Sequence, residues 1–262
     1  MNALLSKLLG LPELVSEHGA EVDLLIVLLH YLMIALFVGW SIFFVYVIWR
    51  FRQKRNPAAD YQGVTSHTST YLEIAVAAVE VLLLLGISIP VWARAVDVFP
   101  PEKDSTVIHV IGQQFAWNAI YPGTNGVFGQ RDMARVTPEN KFGFPDPKED
   151  PDVVDDFAVV NDLKVPLGKP VIAHISSLDV IHSFKVFPLR ITQDAIPGMS
   201  VPIHFTPTKL GNMQINCAQL CGLGHYSMRG TLSVVTPEEY DKWMKDWIAK
   251  AAVGSKSAGG FE

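Results

Sequence analysis

The chain has 262 residues, 49% of them hydrophobic and 18% charged, with a formal net charge of −5 and a mean hydropathy of +0.25. That is too apolar for an ordinary soluble domain and too charged for membrane helices alone, so the two populations must separate along the sequence. The negative balance argues against nucleic acid as a partner.

Residues 1–21 lack the organisation of a signal peptide. The apolar run is interrupted by Lys7 and Pro12, and no Ala-x-Ala-like cleavage site follows. They are expected to lie on the outer side, as a short amphipathic helix on the membrane. Residues 24–48 hold no Lys, Arg, Asp or Glu and are long enough to cross a hydrocarbon core of about 30 Å. Residues 71–92 form a second such run. Together residues 22–97 read as a two-helix transmembrane hairpin. Arg50, Arg52, Lys54 and Arg55 follow the first span, whereas Glu13, Glu17, Glu21 and Asp23 precede it with only Lys7. The positive-inside rule therefore makes the loop 50–70 cytoplasmic and puts both ends of the chain outside.

Residues 98–252 read as an all-β domain. Short strand-like runs at 107–111, 115–121, 171–175, 182–187, 201–205, 213–216 and 231–235 are separated by Gly and Pro. Residues 122–156 lack periodicity and read as an insertion. Its end is acidic: Asp146, Glu149, Asp150, Asp152, Asp155 and Asp156 face only Lys148. Such a run is either a solvated loop or a steering surface for a basic partner. Thr236, Pro237 and Glu239 form a capping box that opens a short C-terminal helix, with Trp243 and Trp247 toward the domain. Residues 253–262 read as a flexible tail.

The two cysteines of the chain, Cys217 and Cys221, stand four apart, with His225 and Met228 following. A disulfide is one reading of such a pair. Zinc fits poorly, because a thioether is a poor zinc ligand. Thiolate, imidazole and thioether together favour copper. A mononuclear site uses one thiolate, so the pair suggests two copper ions bridged by both sulfurs. His18, His30, His67, His109, His174 and His204 sit in no motif and receive no metal role.

This loop, the upstream Asp179-Val180-Ile181-His182-Ser183-Phe184 and the stretch Asp194-Ala195-Ile196-Pro197-Gly198 resemble subunit II of the haem-copper cytochrome c oxidases. The resemblance covers roughly residues 22–250. It implies a cupredoxin-like Greek-key domain behind the membrane hairpin, hence a membrane-anchored α+β chain. It also implies a binuclear CuA centre. Cys217 and Cys221 would bridge the coppers, and His182 and His225 would each ligate one. Met228 and the backbone carbonyl of Gln219 would be the weak ligands. The implied function is to accept electrons from a c-type cytochrome and pass them to haem in subunit I, where oxygen is reduced to water and protons are pumped. The haems and CuB would belong to subunit I. Subunit I, subunit III and a cytochrome donor, free or within a supercomplex, would be the partners. The setting would be a bacterial-type inner membrane with the β-domain on the periplasmic side. No Cys-x-x-Cys-His occurs, so no haem is fused to this chain.

The sequence departs from the family's pattern in places. Gln219 stands where Glu is common, and its neutral amide is a weaker ligand for a shared magnesium. Gly112-Gln113-Gln114-Phe115-Ala116-Trp117 has Phe115 where the family's electron-receiving Trp stands, leaving Phe115, Trp117 and Tyr121 either as candidates for that role or simply as core aromatics, Trp117 above all. Met199 replaces an Arg. In the second span Glu73 either matches the mouth of a proton channel or is an interfacial charge with no proton role, and Glu80 lies two helical turns on, nearly on one face. Intramembrane carboxylates rarely face lipid, so that face is expected to pack on subunit I. The resemblance offers no role for Glu80. A nitrous oxide reductase domain, a copper-free quinol oxidase subunit and a membrane-anchored copper carrier are the competing readings. The two spans, the complete ligand set and the Asp194–Gly198 stretch argue against them in turn.

Overall fold

The computed structural model describes residues 7–58, 61–63, 65–137 and 139–257. The chain divides into two compact units. One holds the helices up to Asp97, and the other holds Pro12–Gly19 together with everything from Val98.

In the first unit, α1 (Gly19–Arg50) is apolar on every side, the pattern of a helix surrounded by lipid rather than lying on an aqueous surface. Its C-terminus is closed by a reciprocal pair: Arg50 Nη1 donates to Asn56 Oδ1 and Asn56 Nδ2 donates to the Arg50 carbonyl, at 2.9 and 2.5 Å. This satisfies a carbonyl that the helix itself leaves open. The second span runs as α2 (Thr68–Leu83), a π turn (Leu84–Ser88) and α3 (Ile89–Val96). Pro90 has no N–H and its ring would crowd the preceding turn; the wider π turn absorbs that clash without ending the helix. Both helices are long and apolar enough to cross a membrane.

The second unit is a β-sandwich. One sheet has the order β3 (Phe157–Val160), β2 (Ala116–Tyr121), β1 (Thr106–Gln113), β5 (Val171–Ser177) and β8 (Val201–Phe205). The other has β4 (Asp162–Pro166), β10 (Arg229–Val235), β9 (Gly211–Cys217), β6 (His182–Val186) and β7 (Ile191–Ala195). The pairs β1–β5 and β4–β10 are parallel and the rest antiparallel, so the chain crosses repeatedly between sheets. Alternate residues such as Ile108, Val110, Leu163, Phe184, Ile215 and Leu232 turn inward and form one core. Strands β3, β4 and β7 have no counterpart among the sequence-based runs. β3 and β4 are short and separated only by Asn161, whose left-handed backbone (φ 57°) makes the corner between the two sheets. β7 alternates about polar Thr192 and Asp194.

Helix α4 (Pro237–Ser257) covers one end of the sandwich. Its capping box is in place, with Thr236 N donating to Glu239 Oε2 and Glu239 N to Thr236 Oγ1, both at 3.2 Å. Trp243 and Trp247 pack on Tyr121 and Phe157. The helix continues to Ser257, past Val253 where a flexible tail was expected. Gly254 is an isolated weak helix former, and one glycine lowers helix stability by only about 1 kcal/mol. Residues 258–262 lie outside the described residues.

Residues 12–18 differ from expectation in kind. They do not form a helix on the membrane; they are part of the sandwich. Val15 N donates to Pro188 O, Glu17 N to Thr206 O and Thr208 N to Val15 O, at 2.8–3.1 Å. Ser16 Oγ donates to Leu189 O at 2.7 Å, and the Val15 side chain enters the core. Pro12 prevents a continuous helix here, and Val15 gains more by burial than it would on a polar surface. Residues 1–6 lie outside the described residues.

The insertion 122–156 holds two short 3-10 turns and no strand among its described residues. Its carboxylates accept from the loop's own backbone: Asp155 from Thr124 N, Asp156 from Gly129 N and Asp150 from Gln130 N, at 2.6–2.9 Å. Their first task is to hold the loop. Phe128 and Arg131 then dock it on the sheet. The Phe128 ring stacks on His109 at 4.1 Å, and Arg131 Nη2 lies 2.9 Å from His109 Nδ1.

Candidate metal centre

The site forms where β6 and β9 end side by side. Phe184 pairs with Cys217 across the ladder, and Ala218 N donates to Ser183 O at 2.9 Å, so His182 and Cys217 project from neighbouring strand ends. The chain then loops out and returns as β10. The loop is clamped at its base by Cys217 N donating to Met228 O at 3.3 Å, and a 3-10 turn (His225–Ser227) orients His225. From across the sandwich Gln114 Nε2 donates to Cys221 O at 2.7 Å and fixes the middle of the loop.

Six groups converge. Cys217 Sγ and Cys221 Sγ are 3.7 Å apart. His182 Nδ1 lies 3.9 Å from Cys217 Sγ, and His225 Nδ1 lies 3.7 Å from Cys221 Sγ. Met228 Sδ is 3.8 Å from Cys221 Sγ, and the Gln219 carbonyl oxygen is 3.1 Å from Cys217 Sγ. His182 is fully buried, and Cys221 and Met228 are buried. Both thiols are free. Two thiols, two imidazoles, a thioether and a carbonyl are a soft donor set that suits copper and not a hard cation.

The surroundings prepare these donors. Asp179 Oδ1 lies 2.8 Å from His182 Nε2. The carboxylate thereby takes the Nε2 proton as its partner and leaves the Nδ1 lone pair facing the thiols. Partial burial pushes the Asp179 carboxyl up, but hydrogen bonds from Gln114 N, His182 and Val180 N outweigh it and hold its pKa below the ordinary value. Burial, and then the adjacent Cys217, push the Cys221 thiol up to about 11. A metal ion supplies the positive charge that two adjacent thiolates need, so loading would release protons. Glycines leave the room. A Cβ on Gly112 would stand 2.9 Å from His182 Cδ2, and one on Gly224 would stand 2.5 Å from Phe115 Cδ2.

The three aromatic candidates for electron reception separate here. Phe115 is half-buried against Gly222 and Gly224 of the loop. Trp117 is fully buried, its ring edge-on to His182 with centroids 6.1 Å apart. Tyr121 is fully buried under α4, and its hydroxyl donates to Lys164 O and accepts from Lys164 N, both at 2.9 Å. A residue that meets a docked donor must reach the surface. Trp117 and Tyr121 do not, and only Phe115 keeps that possibility. On the same loop Leu220, Leu223 and Tyr226 are exposed. Sequence reasoning gave Asp179, Gln114 and Gly112 no role of their own. The Asp179-x-x-His182 spacing was a visible signal for the first; the others meet the loop only through the fold.

A β-sandwich that gathers two thiols, an imidazole and a thioether on one loop and a second imidazole from the strand β6, carried on a chain with two membrane-length helices, has the marks of a membrane-anchored protein with a donor set suited to a soft metal. Residues 106–235 match the family described as cytochrome c oxidase subunit II, periplasmic domain. An alternative cytochrome c oxidase subunit 2 of Bradyrhizobium diazoefficiens is 31% identical over 223 residues, covering 85% of this chain and 78% of that protein. Cytochrome c oxidase subunit 2 of Cereibacter sphaeroides is 30% identical over 218 residues, covering 78% and 69%. The crystal structure of the periplasmic domain of subunit II of cytochrome oxidase of Bradyrhizobium japonicum is 26% identical, with a TM-score of 0.43, and covers 58% of this chain and 99% of that one. The chain belongs to the cytochrome c oxidase subunit II family. It is thus a subunit of a haem-copper oxidase complex, an oxidoreductase.

Proposed function

We propose that this subunit holds a binuclear copper centre, CuA, on His182, Cys217, Cys221, His225, Met228 and the Gln219 carbonyl. Through it the subunit takes single electrons from a c-type haem donor and passes them to haem in subunit I, where oxygen is reduced to water and protons are pumped. The observation that carries this reading is the pair of free thiols 3.7 Å apart with an imidazole Nδ1 beside each. Two coppers sharing two sulfurs would spread one electron over both metals, which favours fast transfer. The chain's own part is to hold the donors still. Asp179 orients His182, Gln114 pins the loop, and the strand ends fix both thiols, so little need rearrange when charge arrives or leaves.

The β-domain and residues 12–18 are proposed to lie on the outer face, with the loop 50–70 in the cytoplasm. Residues 12–18 belong to the β-domain, and the two spans between them and Val98 return the chain to the side it left. This supports the orientation given by Arg50, Arg52, Lys54 and Arg55. Within the second span Glu73 is proposed as the mouth of a proton channel. The test is donor-driven reduction in the assembled oxidase carrying Cys221→Ser. Rapid haem reduction by a reduced c-type cytochrome is expected to vanish while the haem content of subunit I persists. Unchanged donor-driven turnover would contradict the proposal.

A further inference from the structure

Hydrocarbon cannot solvate a carboxylate, so an ionisable side chain within a span needs a polar partner. Helix α2 carries two, Glu73 and Glu80, both exposed on this chain. They are seven residues apart, which at about 3.6 residues per turn puts them within roughly 20° of one face. Their depths differ. Glu73 is about 7.5 Å along the axis from Thr68, close enough to the helix end for its side chain to reach the interface. Glu80 is roughly 18 Å from Thr68 and roughly 24 Å from Val96. A hydrocarbon core of about 30 Å cannot be laid along this helix so as to leave Glu80 outside it.

The chain offers Glu80 nothing. Among the described residues no side chain hydrogen-bonds or ion-pairs with its carboxylate. The helix also changes geometry one turn later: Leu84 N–H reaches back to both Glu80 O and Val81 O, and the π turn follows. Family membership supplies the missing surface, since a subunit of a membrane oxidase has neighbouring membrane helices.

We infer that Glu80 accepts a hydrogen bond from a hydroxyl, imidazole or ammonium group of subunit I at mid-depth in the membrane, so the Glu73–Glu80 face of α2 is the side that meets subunit I. The inference rests on family membership alone and survives if the copper reading fails. In the assembled oxidase, Glu80→Leu is expected to lower retention of this chain on subunit I through detergent purification by about tenfold or more. Glu80→Gln, which can still accept, is expected to stay within about threefold of wild type. Wild-type retention of Glu80→Leu would overturn the contact. Should Glu80→Leu fail to insert, a photo-cross-linker at Ala77, near the Glu face, is expected to capture subunit I while one at Ala78, opposite, does not. Equal capture at both would overturn the facing.

Discussion

Asp179 Oδ1 lies 2.8 Å from His182 Nε2, and the other ring nitrogen of His182 then faces Cys217 Sγ at 3.9 Å. One carboxylate therefore chooses which nitrogen is free to bind metal. Asp179 also accepts from Gln114 N at 2.7 Å, and Gln114 pins the Cys221 carbonyl, so a single residue links both halves of the site. Asp179→Asn is expected to weaken copper binding about 10- to 100-fold. Titration of the full chain with copper against a competing chelator measures this; an unchanged affinity would remove Asp179 from the site.

The approach of β1 to His182 admits no side chain. Gly112→Ala would place a methyl 2.9 Å from His182 Cδ2, and its nearest neighbours are all atoms of the buried His182 side chain. The ring must tilt or β1 must shift, at roughly 1–3 kcal/mol. An altered copper spectrum with a lower Tm is expected. A wild-type spectrum would show that the site tolerates the displacement.

Val15 joins a core whose other members lie after Val98. Val15→Ala is expected to remove roughly 1–2 kcal/mol of burial. Thermal unfolding of the full chain, followed by the near-ultraviolet signal of the buried aromatics, should show this as a Tm lower by a few degrees. An unchanged Tm would mean that residues 12–18 lie on the domain without supporting it.

Acid should loosen the docked insertion. His109 faces Arg131, His174 and the Phe128 ring; burial first, then Arg131 and His174, lower its pKa from 6.5 to about 3. An unfolded chain protonates this ring near 6.5 while the folded chain keeps it neutral, so stability falls as pH drops below about 6.5. Asp156 opposes this. Burial raises its pKa from 3.8 to about 6, so it adds stability as pH falls through that window. The His109 gap is the wider, and net loss is expected. His109→Gln should flatten the fall in Tm between pH 7 and 4.5; parallel curves would contradict the role of His109.

The spans, the core strands and the ligand loop were legible because each is written locally, as an unbroken apolar run, as alternation, or as soft donors at short spacing. What escaped was written in tertiary contacts. Pro12-Glu13-Leu14-Val15 carries no sign of the sandwich it enters, because the contacts of Val15 are Pro188 and Thr208, far along the chain. β3 and β4 hide beside a loop rich in acids, and their signal is a left-handed Asn161 between two short apolar pieces. Trp117 and Tyr121 could be read as donor-facing or as core aromatics, Trp117 the more readily as core; burial places both in the interior.

On the proposed function, one loop and one distant histidine hold two coppers sharing one unpaired electron. This is tested most directly by copper content and low-temperature EPR on the full chain, since Val15 belongs to the domain's core and a fragment from residue 98 would lack it. Two coppers per chain with a hyperfine pattern from two equivalent nuclei, lost in Cys217→Ser and in Cys221→Ser, is the expected result. One copper with a localised signal, or none with both thiols reduced, would contradict it.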